Sequence, residues 1–268
     1  MASVTAFGAL PGTFPAAVRA EFQRAARPPY EVPLVVLCNG LLVVVFWFSR
    51  FNTVMFSLHG ALAFPVVLGS WMYADVPATN VLGSDSRRVL EALDDEPMLM
   101  RLLGAKSTLL WLMVAPGCLV IATIIGIVDA SPISALWTAI TIAVAPLGAL
   151  AVSDWVGILW PYRPISLSAR WRNRRSVRTQ LRWLVLILAP YAVVPAVFVA
   201  VSLPAVAWWQ IKTDGGVSRI PDGLFGQLTV IAAVTSLAVW FAGRAGSRRL
   251  LRRRHARLQV YLSEPNPD

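Results

Sequence analysis

The chain has 268 residues, of which 57% are hydrophobic and only 14% charged, and its mean hydropathy is +0.63. Soluble domains are about half apolar and a quarter charged, so this composition points away from an ordinary soluble fold and toward a membrane protein. The net charge of +10 invites a nucleic-acid reading, but the arginines cluster at the ends of apolar blocks and no recognition motif accompanies them, so no nucleic-acid partner is expected.

In chain order, the first element is residues 12–28, whose pattern predicts a short amphipathic helix. Pro15 can occupy its first turn and Pro28 ends it. Val18 and Phe22 share one face, while Arg19, Glu21 and Arg24 spread over the rest. Such a helix is expected to lie in the membrane interface. The first apolar block starts only after it, and no small-residue cleavage site follows, so no cleaved signal peptide is expected.

Six apolar blocks then read as transmembrane helices, at about 32–49, 53–74, 107–128, 133–153, 181–207 and 225–243. Each approaches the ~20 residues needed to cross a hydrocarbon core of ~30 Å. A segment at that depth must satisfy its own backbone, which makes helix the expected form. Residues 128–132, Val-Asp-Ala-Ser-Pro, form a compact turn between the third and fourth spans. The predicted fold class is therefore all-α: one polytopic membrane domain over 1–268, with six spans.

Lys and Arg orient it. Three precede the first span, four lie in the 75–106 loop, seven between Arg163 and Arg182, and seven from Arg244 to Arg257. With six spans, that puts 21 of 24 on one side and leaves only Arg50, Lys212 and Arg219 on the other. The positive-inside rule places the rich side, and both termini, in the cytoplasm of a cell (plasma) membrane protein. Trp155, Trp160, Trp171 and Trp183 flank the basic 154–182 loop, and Trp208 and Trp209 end the fifth span, as interfacial indoles do.

The loop between the second and third spans carries the most information. Ser84 and Asp85 are placed to cap a helix with apolar Val89, Leu90 and Leu93. Arg87, Arg88, Glu91, Asp94 and Asp95 make its remainder charged, and Pro97 is expected to break it before Met98–Leu103 leads into the third span. A helix, a break and a helix between two spans offer a rigid handle to a partner. After the fourth span, Asp154 to Pro164 reads as an aromatic and basic interface loop, its prolines ending the helix. Arg170–Arg178 could meet anionic headgroups. The run from Arg248 to His255 is expected to extend the last helix into a basic cytoplasmic tail over 244–268.

Enzyme chemistry is not expected. There is no His-Glu-x-x-His, no Gly-x-Ser-x-Gly and no intramembrane carboxylate pair. His59 has no ligand partner in sequence, and Asp154 stands at a membrane boundary. Cys38 and Cys118 have neither metal-ligand nor disulfide-framework spacing, so no metal site is expected. Gly104-Ala105-Lys106-Ser107 lacks the spacing of a phosphate-binding loop. Ala115-Pro116-Gly117 and Ala145-Pro146-Leu147-Gly148 could kink the third and fourth spans, without the repeated halves of a secondary carrier.

Three features together resemble the membrane (permease) subunits of type-2 ATP-binding-cassette exporters. They are the interfacial helix; the stretch Ala78-Thr79-Asn80-Val81-Leu82-Gly83-Ser84-Asp85 with its following helix, Pro97 and Leu103-Gly104-Ala105-Lys106; and Val152–Pro164 after the fourth span. The resemblance implies a six-helix half-transporter that pairs with itself or with a sister permease and exports a hydrophobic or amphipathic substrate. It implies separate ATPase subunits that hold ATP and magnesium, so this chain carries no cofactor and no catalytic residue. It maps a coupling helix onto Ser84–Glu96, within a coupling segment 84–101. Asn80, Gly83, Asp85, Pro97 and Lys106 are carried over as shaping and docking positions, with Arg87, Arg88 and Glu91 facing the ATPase. Asp154, Trp160, Pro161 and Arg163 form the membrane-interface loop, although Asp154 stands where the family pattern has an asparagine-like residue. A non-transporting scaffold or assembly subunit would explain the same topology, and an intramembrane lipid-modifying enzyme is the weakest of the three readings.

Overall fold

Within the described residues the apolar blocks fold as helices, and no strand occurs among them. The computed structural model describes residues 12–28, 30–49, 60–73, 80–161 and 221–263, with isolated positions 177, 180, 181, 184 and 185. Seven α-helices lie in them: α1 Phe14–Ala25, α2 Glu31–Phe48, α3 Ala63–Met72, α4 Ser86–Ala92, α5 Glu96–Val128, α6 Pro132–Leu159 and α7 Asp222–Ser263. Three of these, α5, α6 and α7, are long and apolar enough to cross a membrane. α2 and α3 are shorter apolar helices. Most of 162–220, including the fifth predicted span apart from positions 181, 184 and 185, lies outside the described residues, as does His59.

The long helices overshoot their apolar blocks. At 1.5 Å per residue, the 42 residues of α7 reach about 63 Å, twice a hydrocarbon core of ~30 Å. The surplus is the arginine-rich half, which continues the helix as its pattern predicts. α6 likewise runs to Leu159 instead of ending near Ser153. Pro161 explains the difference: a proline prevents helix at the residue before it and beyond, and nothing earlier in Asp154–Leu159 removes a backbone donor. Asp154 and Trp155 are therefore helical, not part of an interface loop.

α5 and α6 meet through the predicted tight turn. Ala130 takes the left-handed conformation, φ +48°. Its N–H donates to the Ile127 carbonyl and that of Ser131 to the Gly126 carbonyl, 3.3 and 3.0 Å, which closes a Schellman cap usually reserved for glycine.

α6 and α7 form the most extensive helix pair, along a seam of small and hydroxyl residues. On α7, Gly226, Thr229, Ser236 and Gly243 are buried, the last three at heptad spacing. Ser236 sits against the backbone of α6 next to Pro146. It accepts from the Gly148 N–H at 2.8 Å and donates to the Val144 or Ala145 carbonyl at 2.9 or 2.8 Å. A hydroxyl thus partners the backbone beside a proline, a recognised device between helices in lipid. A Cβ on Gly243 would come within 2.7 Å of that of Ala151, so only glycine permits this approach. The Trp155 indole donates to the Gly243 carbonyl at 2.7 Å.

Two apolar cores result. One joins α2, α3, α5 and α6 through Val43, Leu68, Val114, Cys118 and Ile142. The other lies at the charged end, where Val89, Ala92 and Leu93 pack against Leu99 and Leu103 of α5, Ile158 of α6 and Leu251, Leu258 and Leu262 of α7. Outward-facing residues such as Leu41, Leu42, Val45, Val120, Ile124 and Ile127 leave apolar surface exposed, as helices in hydrocarbon do.

Candidate functional site

The charged loop between α3 and α5 is anchored on one face and open on the other. A 3₁₀ turn, Gly83–Asp85, leads into α4, with Asn80, Val81, Leu82 and Gly83 buried beneath it. Val89 and Ala92, three residues apart, point into the core. α4 ends at Ala92, and Asp95 caps α5 by accepting from the Met98 N–H at 3.1 Å. Pro97 thus stands in the first turn of α5, where a missing donor costs nothing, so it starts the long helix rather than breaking one. The predicted helix, break and helix are all present. Met98–Leu103 is continuous with the third predicted span.

Asp85 does not cap α4; no side-chain cap bond forms there. Its carboxylate joins a buried ion cluster instead. The Arg88 guanidinium donates to Glu21 of α1 at 2.6 Å and to Asp85 at 3.2 Å. Arg24 pairs with Glu21 at 3.0 Å. Lys106 of α5 stands 3.8 Å from Glu21 and 3.7 Å from Asp85, close enough for charge pairing but beyond hydrogen-bond reach. Three cations thus surround two carboxylates where α1, α4 and α5 meet. Burial pushes the Glu21 carboxyl up, but Lys106, Arg24 and Arg88 together outweigh it and hold it below the usual carboxylate range.

Glu21 is the residue that sequence reasoning placed wrongly. It is fully buried, whereas the amphipathic pattern put it on the wet face of α1. Phe14 and Phe22 instead point outward, half-exposed, where an interfacial helix would meet lipid. In the folded helix Glu21 and Ala17, four apart, form the buried stripe, which the partner Arg88 on α4 selects and no local pattern marks.

Next to the cluster, Gly104 lets three helices converge, because a Cβ there would meet the Arg244 guanidinium at 2.6 Å and the Phe14 ring at 3.2 Å. Arg244 reaches the Met100 carbonyl at 3.4 Å and stacks 5.5 Å from the Trp240 ring. Asp154 is buried on α6 near Arg244 and Ser107.

The tail of α7 braces the outer side of the loop. Arg252 pairs with Glu96 at 2.5 Å and His255 with Asp94 at 3.0 Å, both exposed. Arg87, Glu91, Asp94 and Pro97 point to solvent. Of the predicted loop positions, then, Asp85, Arg88 and Lys106 come together in the cluster, Asn80 and Gly83 are buried in the segment leading into it, and Arg87 and Glu91 lie on the exposed face. Pro161 is buried and Trp160 half-exposed at the end of α6; Arg163 lies outside the described residues. No group of His, Cys, Asp or Glu able to hold a metal occurs among the described residues.

Comparison with protein-family models, with curated proteins and with solved structures finds no match for this chain.

Proposed function

We propose that this chain is the membrane subunit of an ATP-driven export complex of the type-2 ATP-binding-cassette class. In this reading it has six spans with both termini in the cytoplasm, pairs with itself or a sister permease, and exports a hydrophobic or amphipathic substrate. ATP and magnesium are handled by separate nucleotide-binding subunits. The observation that supports it is the two-faced loop at α4. Its inner face is fixed to α1, α5 and α7 by apolar packing and the ion cluster, and its outer face presents Arg87, Glu91 and Asp94. A force applied to that face would move α1 and α5 as one piece, which is what a coupling element requires.

The test is to purify the full chain from its native membrane in mild detergent and identify co-purifying subunits. A P-loop ATPase is expected, and its loss on the charge swap R87E/E91R, with the unfolding midpoint unchanged, would place the contact on α4. A stable complex without any ATPase, unaffected by the swap, would sink the exporter reading in favour of a scaffold.

A further inference from the structure

At the end of α6, next to the arginine-rich half of α7, lies a cleft of about 560 Å³ that the coupling loop does not use. This is within the size range of small-molecule and lipid sites. Its walls are largely apolar and include Ile158, Leu258 and Val185. The charged groups lining it, among the described residues, are Arg254 and Arg257, and no carboxylate accompanies them.

The two arginines differ in how they are held. Arg254 donates to the Leu159 carbonyl at 2.9 Å, which satisfies an open acceptor at the C-terminus of α6 and fixes the guanidinium beside the cleft. Arg257 is exposed and makes no hydrogen bond or ion pair among the described residues. The fork of Arg254 keeps further donors for a ligand. Trp160 borders the same opening, half-exposed, at the position where the apolar helix ends.

We propose that this cleft binds an anionic phospholipid, with its phosphate at Arg254 and Arg257 and the upper part of an acyl chain against Ile158, Val185 and Leu258. Charge complementarity selects the occupant. A zwitterionic headgroup carries its own cation and leaves the charge of the two arginines unchanged, whereas a headgroup of net charge −1 offsets one of them, and guanidinium matches phosphate geometry. The apolar walls distinguish a lipid from free phosphate, which would leave them wet. The assignment rests on the chain crossing a membrane with this basic end at one interface, and is independent of any ATPase partner.

Native mass spectrometry of the full chain in a neutral detergent tests it, with phosphatidylglycerol, phosphatidylcholine and inorganic phosphate titrated separately. One phosphatidylglycerol should be retained more tightly than phosphatidylcholine, and phosphate should not displace it. R254Q/R257Q should weaken that lipid by about tenfold or more, as the loss of two headgroup contacts implies. The charge-matched control R249Q/R253Q, at exposed positions outside the cleft, should leave it unchanged. V185W fills the cleft while keeping both arginines and should also lose the lipid, with the unfolding midpoint reporting that each variant folds. Equal retention of the two lipids, equal loss in both arginine pairs, or displacement by phosphate or by a soluble acidic peptide would overturn the proposal. A chain that stays monodisperse without detergent would instead remove the membrane reading itself, and failure to find an ATPase would leave the lipid result standing.

Discussion

Two ion-paired regions hold the charged end of this molecule together, and their distances are nearly the same. Arg88 meets Glu21 at 2.6 Å and Arg252 meets Glu96 at 2.5 Å. Their surroundings are opposite: the first pair is 7% and 0% exposed, the second 74% and 28%. Distance therefore says little about what each contributes. In water a pair gains little beyond the hydration it gives up, and salt screens what remains. In the interior the attraction is stronger, but each charge has lost its hydration and depends on every partner staying in place. The buried cluster is thus all-or-none, whereas the α7 brace is a loose contact that can open. That division is what the proposed coupling role asks of the loop, an inner side rigid against α1 and α5 and an outer side able to respond.

Removal of Glu21 should separate the two regions most sharply. E21A leaves Arg88 and Lys106 buried with only Asp85 to share, and loss of one member of a buried pair costs about 3–5 kcal/mol. The check is a large drop in unfolding midpoint in detergent, together with protease access to α1. The companion double variant E21L/R88M removes one charge of each sign and fills their space with apolar atoms. It should recover at least half of the loss, because the uncompensated charge is gone. If E21A is as stable as wild type, α1 is not fastened through this cluster.

The fold was legible in the sequence where short-range pattern decides it, and illegible where remote partners do. Apolar blocks of fixed length announced the long helices, and the basic run after Arg244 was readable as helix because no glycine or proline interrupts it past Gly246. The turn at 128–132 and the helix at 12–28 follow from local residues as well. Glu21 does not, since its partner Arg88 is 67 positions away and no local rule buries a glutamate. Asp85 shows the same limit: as a cap candidate it is ordinary, and only the arrival of Arg88 and Lys106 diverts its carboxylate. Pro161 ends a helix as its local pattern predicts, whereas Pro97 begins one, and which of the two a proline does depends on the side on which the helix lies. The α6–α7 seam was in principle readable, since Thr229, Ser236 and Gly243 recur every seven residues, a pattern that calls for a partner helix.

Acid should weaken the buried region by a calculable route. The folded Glu21 carboxyl binds its proton less tightly than the unfolded one, whose ordinary value is 4.5. Its contribution to stability is therefore fully present above that value and is lost as pH falls through the lower folded one. The difference in unfolding midpoint between wild type and E21Q should hold constant near neutrality and narrow steadily below about pH 4.5. A difference that stays constant down to strong acid would mean that Glu21 is stabilised by packing and not by its charge.

The smallest effect belongs to the exposed brace. R252Q removes the charge that pairs with Glu96 while keeping most of the side chain, and the partner left behind remains hydrated. Its unfolding midpoint should match wild type, and any small difference at low salt should vanish as ionic strength rises and screening shortens the reach of the pair. The buried variants should be far less sensitive to salt, since mobile ions cannot enter the cluster. If R252Q were as damaging as E21A, the tail of α7 would be a structural clamp equal to the core, and the division between a rigid inner face and a responsive outer one would be wrong. A silent R252Q beside a crippled E21A leaves the tail free to move while α4 stays fastened, which is the arrangement a partner pressing on Arg87 and Glu91 needs.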